Sequence, residues 1–193
     1  MAENSISSAN KVYPDGYIAK VANSVRESLK LEIPYSPQKA VELLNGEIID
    51  SIEDENIDAY IKKNGTDRFV IHRNKYKCSE LRDSFTIAHE LGHLFLHMGY
   101  LLDDEKWNSI SEYQDSAFYR MAGINGKPGR YAQEEHEANE FAANFLMPKN
   151  EFIFVAKQHL ENNKYSIQPI ADHFKVSVPA ATNRGKWLGI FAW

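Results

Sequence analysis

His89-Glu90-Leu91-Gly92-His93 sets two histidines four residues apart, with a glutamate directly after the first. On a helix, positions four apart lie one above the other on a single face, so both imidazoles can hold one zinc ion. Glu90 lies one residue round from the first ring and one turn before the second. From there its carboxylate can act as general base on a zinc-held water without ligating the metal. These roles are the minimum apparatus of a zinc hydrolase and make a metallopeptidase the leading expectation. The setting supports it. Leu81, Phe85, Ala88, Leu91 and Phe95 recur at helical spacing, the stripe of a buried amphipathic helix. Burying two histidines and a glutamate unpaired in such a helix would be costly, whereas zinc would satisfy all three.

A catalytic zinc takes three protein ligands and keeps a position for water. His97 is four residues further on, but it stands eight from His89, about 12 Å along the axis, and a straight helix cannot aim all three rings at one ion. It is expected to be a helix-end cap or a packing residue. His72 falls in a strand candidate, and His159 and His173 in polar helical contexts. A better source is the segment Gln133 to Phe145, where Glu135 and Asn139 share one helical face. Glu135 could ligate zinc while Asn139 orients a ligand from the second shell. Glu134 is the rival third ligand. Glu134 and Glu137 otherwise read as solvated charges.

The elements that must carry these residues follow from periodicity and breakers. Helices are expected over Tyr17–Leu31 and Pro37–Leu44, the second ended by Asn45-Gly46. Strands are expected over Gly46–Ile52, Ile57–Lys62 and Arg68–Arg73. The motif helix should span about Ser79 to Met98 and stop near Gly99. Tyr100–Arg130 is polar with scattered aromatics, and Asn125-Gly126-Lys127-Pro128-Gly129 reads as loop. A strong helix from Tyr131 to Leu146 carries Ala138, Phe141, Ala142 and Phe145 and ends at Pro148. Another follows over Asn150–Asn162, and Ser166–Leu188 forms two short helices joined at Lys175-Val176-Ser177. The fold class is α+β: a short sheet packed on the motif helix and on a second ligand-bearing helix, plus C-terminal helices. Residues 1–10 are expected to be disordered, 11–165 to form the metallopeptidase domain, and 166–193 to be a small helix-turn-helix-like segment packed on it.

At 193 residues and 43% hydrophobic content, the chain can bury a real core. A net charge of −5 argues against a general affinity for nucleic acid. The N-terminus has no secretory pattern, and no apolar run is long enough to span a bilayer. The lone Cys78 excludes an internal disulfide framework and fits a reducing cytoplasm. It lacks the local signature of a thiol protease and reads as a small, half-buried side chain. No feature specifies an oligomer.

Phe85-Thr86-Ile87-Ala88-His89-Glu90-Leu91-Gly92-His93, followed by Glu135-x-x-Ala138-Asn139-x-Phe141-Ala142-Ala143-x-Phe145-Leu146-Met147-Pro148, resembles the ImmA/IrrE metallopeptidases. The tail Ile170-Ala171-x-x-Phe174-x-Val176-Ser177, with Arg184-x-x-Trp187-Leu188-Gly189, is similar to their C-terminal helical segment. The likeness covers about Phe69 to Gly189, with a longer stretch between His93 and Glu135 than is usual in the family. It implies a small gluzincin-like domain, zinc as cofactor, His89, His93 and Glu135 as ligands, and Glu90 as general base. It also implies the substrate class: helix-turn-helix repressors, often encoded beside the peptidase on mobile elements, whose cleavage relieves repression. The partner expected is therefore a DNA-binding protein rather than DNA or membrane.

The strand Arg68–His72 could present an edge to an extended peptide, and Tyr131 and His136 are candidates to stabilise the oxyanion. Two readings from other classes compete. In one, the zinc is structural and the chain is a silent binding partner of a toxin or repressor. In the other, Ser166–Leu188 binds DNA through Lys175, Arg184 and Lys186, opposed by Asp172.

Overall fold

The computed structural model describes residues 12–52, 57–74, 76, 79–111 and 128–192, with side chains from 132 onward in the last stretch. The expectations for residues 1–10 and Cys78, and for the aromatics Tyr113, Phe118 and Tyr119, fall outside these residues. Helix α1 (Asp15–Ser28) buries Ile18, Val21, Ala22 and Val25 on one face. Helix α2 (Pro37–Leu43) starts on a proline, whose missing N–H costs nothing in a first turn.

Three strands follow: β1 (Gly46–Ile52), β2 (Ala59–Lys63) and β3 (Phe69–Asn74). Their order is β1-β3-β2, with β3 parallel to β1 and antiparallel to β2. The strand read as a possible peptide-binding edge is thus the central one. Phe69, Val70 and Ile71 are all buried, which requires cover on both faces. Among the described residues, the free edges belong to β1 and β2.

Helix α3 (Glu80–Gly92) carries the H-E-x-x-H motif. With the turn that continues it, the helical segment ends at His97, close to the expected Met98, but its last turn is not α-helical. From His93 to His97 it widens into a π turn, in which the Met98 N–H donates to the His93 carbonyl at 2.9 Å. Gly99, at φ +80°, then reverses the chain. Helix α4 (Asp104–Ser109) is capped by the Asp103 side chain. Its Trp107 is buried, and the indole N–H donates to the Thr66 carbonyl.

Helix α5 (Pro128–Leu146) begins three residues before the periodicity suggested, so Pro128 and Gly129 open a helix instead of lying in a loop. Helix α6 (Lys149–Gln158) is shorter than expected. The rest of that segment forms a hairpin of β4 (Leu160–Glu161) and β5 (Lys164–Tyr165), turned by Asn162 and Asn163 at positive φ. Helices α7 (Ile167–Phe174) and α8 (Val178–Trp187) close the described chain.

The architecture is mixed α+β. Phe69, Ile71 and Ile61 of the sheet, Ile87 and Leu91 of α3, and Phe141 and Phe145 of α5 share one hydrophobic cluster. Phe152 of α6 and Ile170 and Phe174 of α7 join it, so the C-terminal helices bury their apolar faces in the same core. Among the described residues, no helix is long and apolar enough to cross a membrane.

The packing that matters most for the site is α3 against α5. A Cβ on Gly92 would lie 2.9 Å from the Ala138 Cα and 3.2 Å from the Phe141 Cβ. The two helices therefore meet backbone to backbone, one residue before His93 and three residues after Glu135.

Candidate metal centre

His89 stands on the last turn of α3 and His93 at the first residue of the π turn. Both face α5, where Glu135 points back at them. His89 Nε2 lies 3.1 Å from His93 Nε2. Glu135 Oε1 is 3.1 Å from His93 Nε2, and its Oε2 is 3.3 Å from His89 Nε2. Their ligand atoms thus fall into one compact group. Zinc with nitrogen and oxygen ligands at about 2.0–2.1 Å in a tetrahedron separates its donors by roughly 3.3–3.4 Å. The observed spacings match that requirement within a few tenths of an ångström, so this donor set fits a zinc-sized divalent ion.

The electrostatics fit as well. Burial pushes the His93 ring down to about 4, against the pull of Glu135 and Glu90, so at neutral pH it is uncharged and has a lone pair to give. Burial would raise the Glu135 carboxyl, but hydrogen bonds to His89 and His93 more than offset this and hold it well below the usual carboxylate range.

Asn139, one turn after Glu135, meets His89 Nδ1 through its side-chain oxygen at 3.0 Å. An Nδ1–H donated there leaves the His89 Nε2 lone pair facing Glu135 and His93. Glu90 is 1% exposed and close enough to His93 for its charge to act on that ring. Glu134, the rival third ligand, is not in the cluster.

Two residues have contacts that sequence reasoning did not assign. His97 stands outside the His89-His93-Glu135 group, yet it is more than a helix cap: its Nδ1 lies 2.8 Å from His93 Nδ1, and its Nε2 lies 3.0 Å from Glu137 Oε2. Glu137, read as a solvated charge, is 1% exposed. Its burial would raise its carboxyl, but hydrogen bonds from His97, Gln133 and the Tyr13 backbone hold it low. A signal for it was available. Glu137 stands four residues before Phe141 and eight before Phe145, in line with the apolar stripe of α5, where a carboxylate must find partners.

A cleft of about 700 Å³ opens beside the centre, lined by Phe85 and Thr86 of α3, His136 and Asn139 of α5, and Trp187 of α8. The His136 ring rests against Trp187, with centroids 5.6 Å apart. Asp58, just before β2, also lines the cleft, so the free edge of β2 begins at its rim.

A mixed α+β domain whose H-E-x-x-H helix meets a glutamate from a second helix defines a zincin-like protein. Its family follows from the chain itself: residues 48–186 match the IrrE N-terminal-like domain of the peptidase M78 family, to which this protein belongs. The match begins at Ile48 and so takes in all of the three-stranded sheet except the first two residues of β1, ahead of Phe69, where the motif likeness starts. Among solved structures, a Mycobacterium tuberculosis transcriptional regulator has a similar fold, with a TM-score of 0.58 at 16% identity. The likeness covers 88% of this chain and 46% of the regulator, so this chain spans less than half of that protein's length. No curated protein matches the sequence.

Proposed function

We propose that this chain is a zinc-dependent, site-specific endopeptidase that cuts a helix-turn-helix repressor or similar regulatory protein in the cytoplasm and so relieves repression. The observation that carries the reading is the convergence of His89, His93 and Glu135 on one point, with buried Glu90 one residue from the first ligand. Zinc held by those three side chains would supply a Lewis acid for the scissile carbonyl and would acidify a water. Glu90 takes the proton of the attacking water on its carboxylate and passes it to the leaving amine. His136 faces the cleft and is the candidate donor to the oxyanion; Tyr131, the other candidate, has no described side chain.

The bound peptide lies extended along the free edge of β2, where backbone pairing supplies affinity without sequence preference. An apolar side chain of the substrate enters the cleft between Phe85 and Trp187. The repressor class comes from the family likeness, not from the cleft.

The test compares new protein N-termini, by mass spectrometry, in host cells expressing the wild type or Glu90→Gln, with the zinc content of both purified proteins. New termini confined to the wild type and concentrated in one DNA-binding protein, with zinc in both, are expected. Identical profiles with zinc in both would favour the silent binding partner or a peptidase still awaiting its activating signal.

A further inference from the structure

We infer that His97 and Glu137 are positioning residues that hold His93 in the single tautomer able to bind metal, an inference that rests on the metal centre proposed above. Glu137 is buried between α5, the π turn and the N-terminal approach to α1. Its Oε1 accepts from the Tyr13 backbone N–H at 2.9 Å and from Gln133 Nε2 at 3.0 Å. Its Oε2 meets His97 Nε2 at 3.0 Å. An ionised carboxylate can only accept, so His97 carries its proton on Nε2. The His97 Nδ1 then has a lone pair, and among the described residues the group placed to fill it is the Nδ1–H of His93, 2.8 Å away.

With its proton on Nδ1, His93 has a lone pair at Nε2, the atom that faces both His89 and Glu135. The other tautomer would drive an N–H into the cluster. One carboxylate thus orders the proton positions of two rings in series. His97 stands four residues after His93 on the same side of the π turn, and its ring lies against that of His93, with centroids 4.9 Å apart. His89 has its own partner in Asn139, so each histidine of the centre is oriented by a separate device.

The test measures Zn²⁺ affinity of the full chain by competition with a chromophoric chelator, for the wild type, Glu137→Gln, His97→Leu and His97→Asn. Thermal melts of the metal-free proteins and histidine ¹⁵N NMR run alongside. Glu137→Gln and His97→Leu should weaken Zn²⁺ binding about 10–100-fold, the usual cost of an outer-shell partner. His97→Asn, whose side-chain oxygen can accept from His93 Nδ1, should recover most of that loss. Metal-free wild type should show His93 protonated on Nδ1 and His97 on Nε2.

Unchanged affinity in folded Glu137→Gln, or His93 protonated on Nε2 in the wild type, would overturn the inference. If Glu137→Gln does not fold, the comparison of His97→Asn with His97→Leu decides it. A wild type that binds no Zn²⁺ would instead remove the metal centre, while the His93 tautomer would still decide the relay.

Discussion

Glu135 and Asn139 stand four residues apart on α5 and both meet His89, one at Nε2 and the other at Nδ1. Removing either acts on the same ring from opposite sides, and the two losses should differ in size. Glu135→Ala removes a donor and should cost more in zinc affinity than the ~10–100-fold of an outer-shell loss. Asn139→Ala should fall within that range, because the ring keeps its place on α3 and loses only its orienting partner. Zinc analysis of the dialysed proteins distinguishes the two. Full zinc retention in Glu135→Ala would transfer the ligand role to Glu134 or His97.

Among the elements, the crossing of α3 and α5 sets the spacing of the donors. Gly92 lets the backbones touch, and any side chain there would push against the Ala138 main chain, which cannot rotate away. Gly92→Val should therefore destabilise the protein by about 1–3 kcal/mol, the range for overpacking. It should also lower zinc affinity, since a shift of the helices separates Glu135 from His89 and His93. Chemical denaturation and chelator competition check the two parts; a stable variant with normal zinc binding would show that the crossing has slack. The π turn belongs to this scale as well. Helical spacing keeps His97, eight residues from His89, off a shared ion, yet places it four residues from His93, where the two rings meet.

Across the whole molecule, the C-terminal helices contribute both cleft and core. Arg184 of α8 is 3% exposed; its Nε donates to the Met147 carbonyl at 3.0 Å, and a terminal nitrogen donates to the Asn144 side chain at 2.7 Å. It also pairs with Glu140 at 3.5 Å. Arg184 is therefore committed inside the protein, which removes one of the three cations on which a DNA-binding reading of Ser166–Leu188 depends. Arg184→Met should cost about 2–4 kcal/mol by stranding buried polar groups, measured by urea unfolding. Loss of salt-dependent duplex binding with no loss of stability would revive the DNA reading. Trp187 is 57% exposed and faces the cleft. Trp187→Ala should leave stability near wild type and raise KM for the peptide substrate about 5–30-fold, equivalent to ~1–2 kcal/mol of lost contact. An unchanged KM would move the substrate away from α8.

Much of this was legible in the residues because the signals are local. H-E-x-x-H needs only one turn of helix, Glu135 and Asn139 share a face by spacing alone, and β1, the joint between α7 and α8, and the stripe of α5 follow from period and breakers. What the tertiary structure decided involves contacts that no local pattern encodes. The strand order made Phe69–Asn74 central and left the edge to β2, because pairing partners are chosen by which faces must be covered. The π turn and the burial of Glu137 arise where α3, α5 and the segment at Tyr13 converge. A carboxylate that looks solvated along its own helix becomes an acceptor for three donors once two distant segments pack over it, and no window of sequence contains all three.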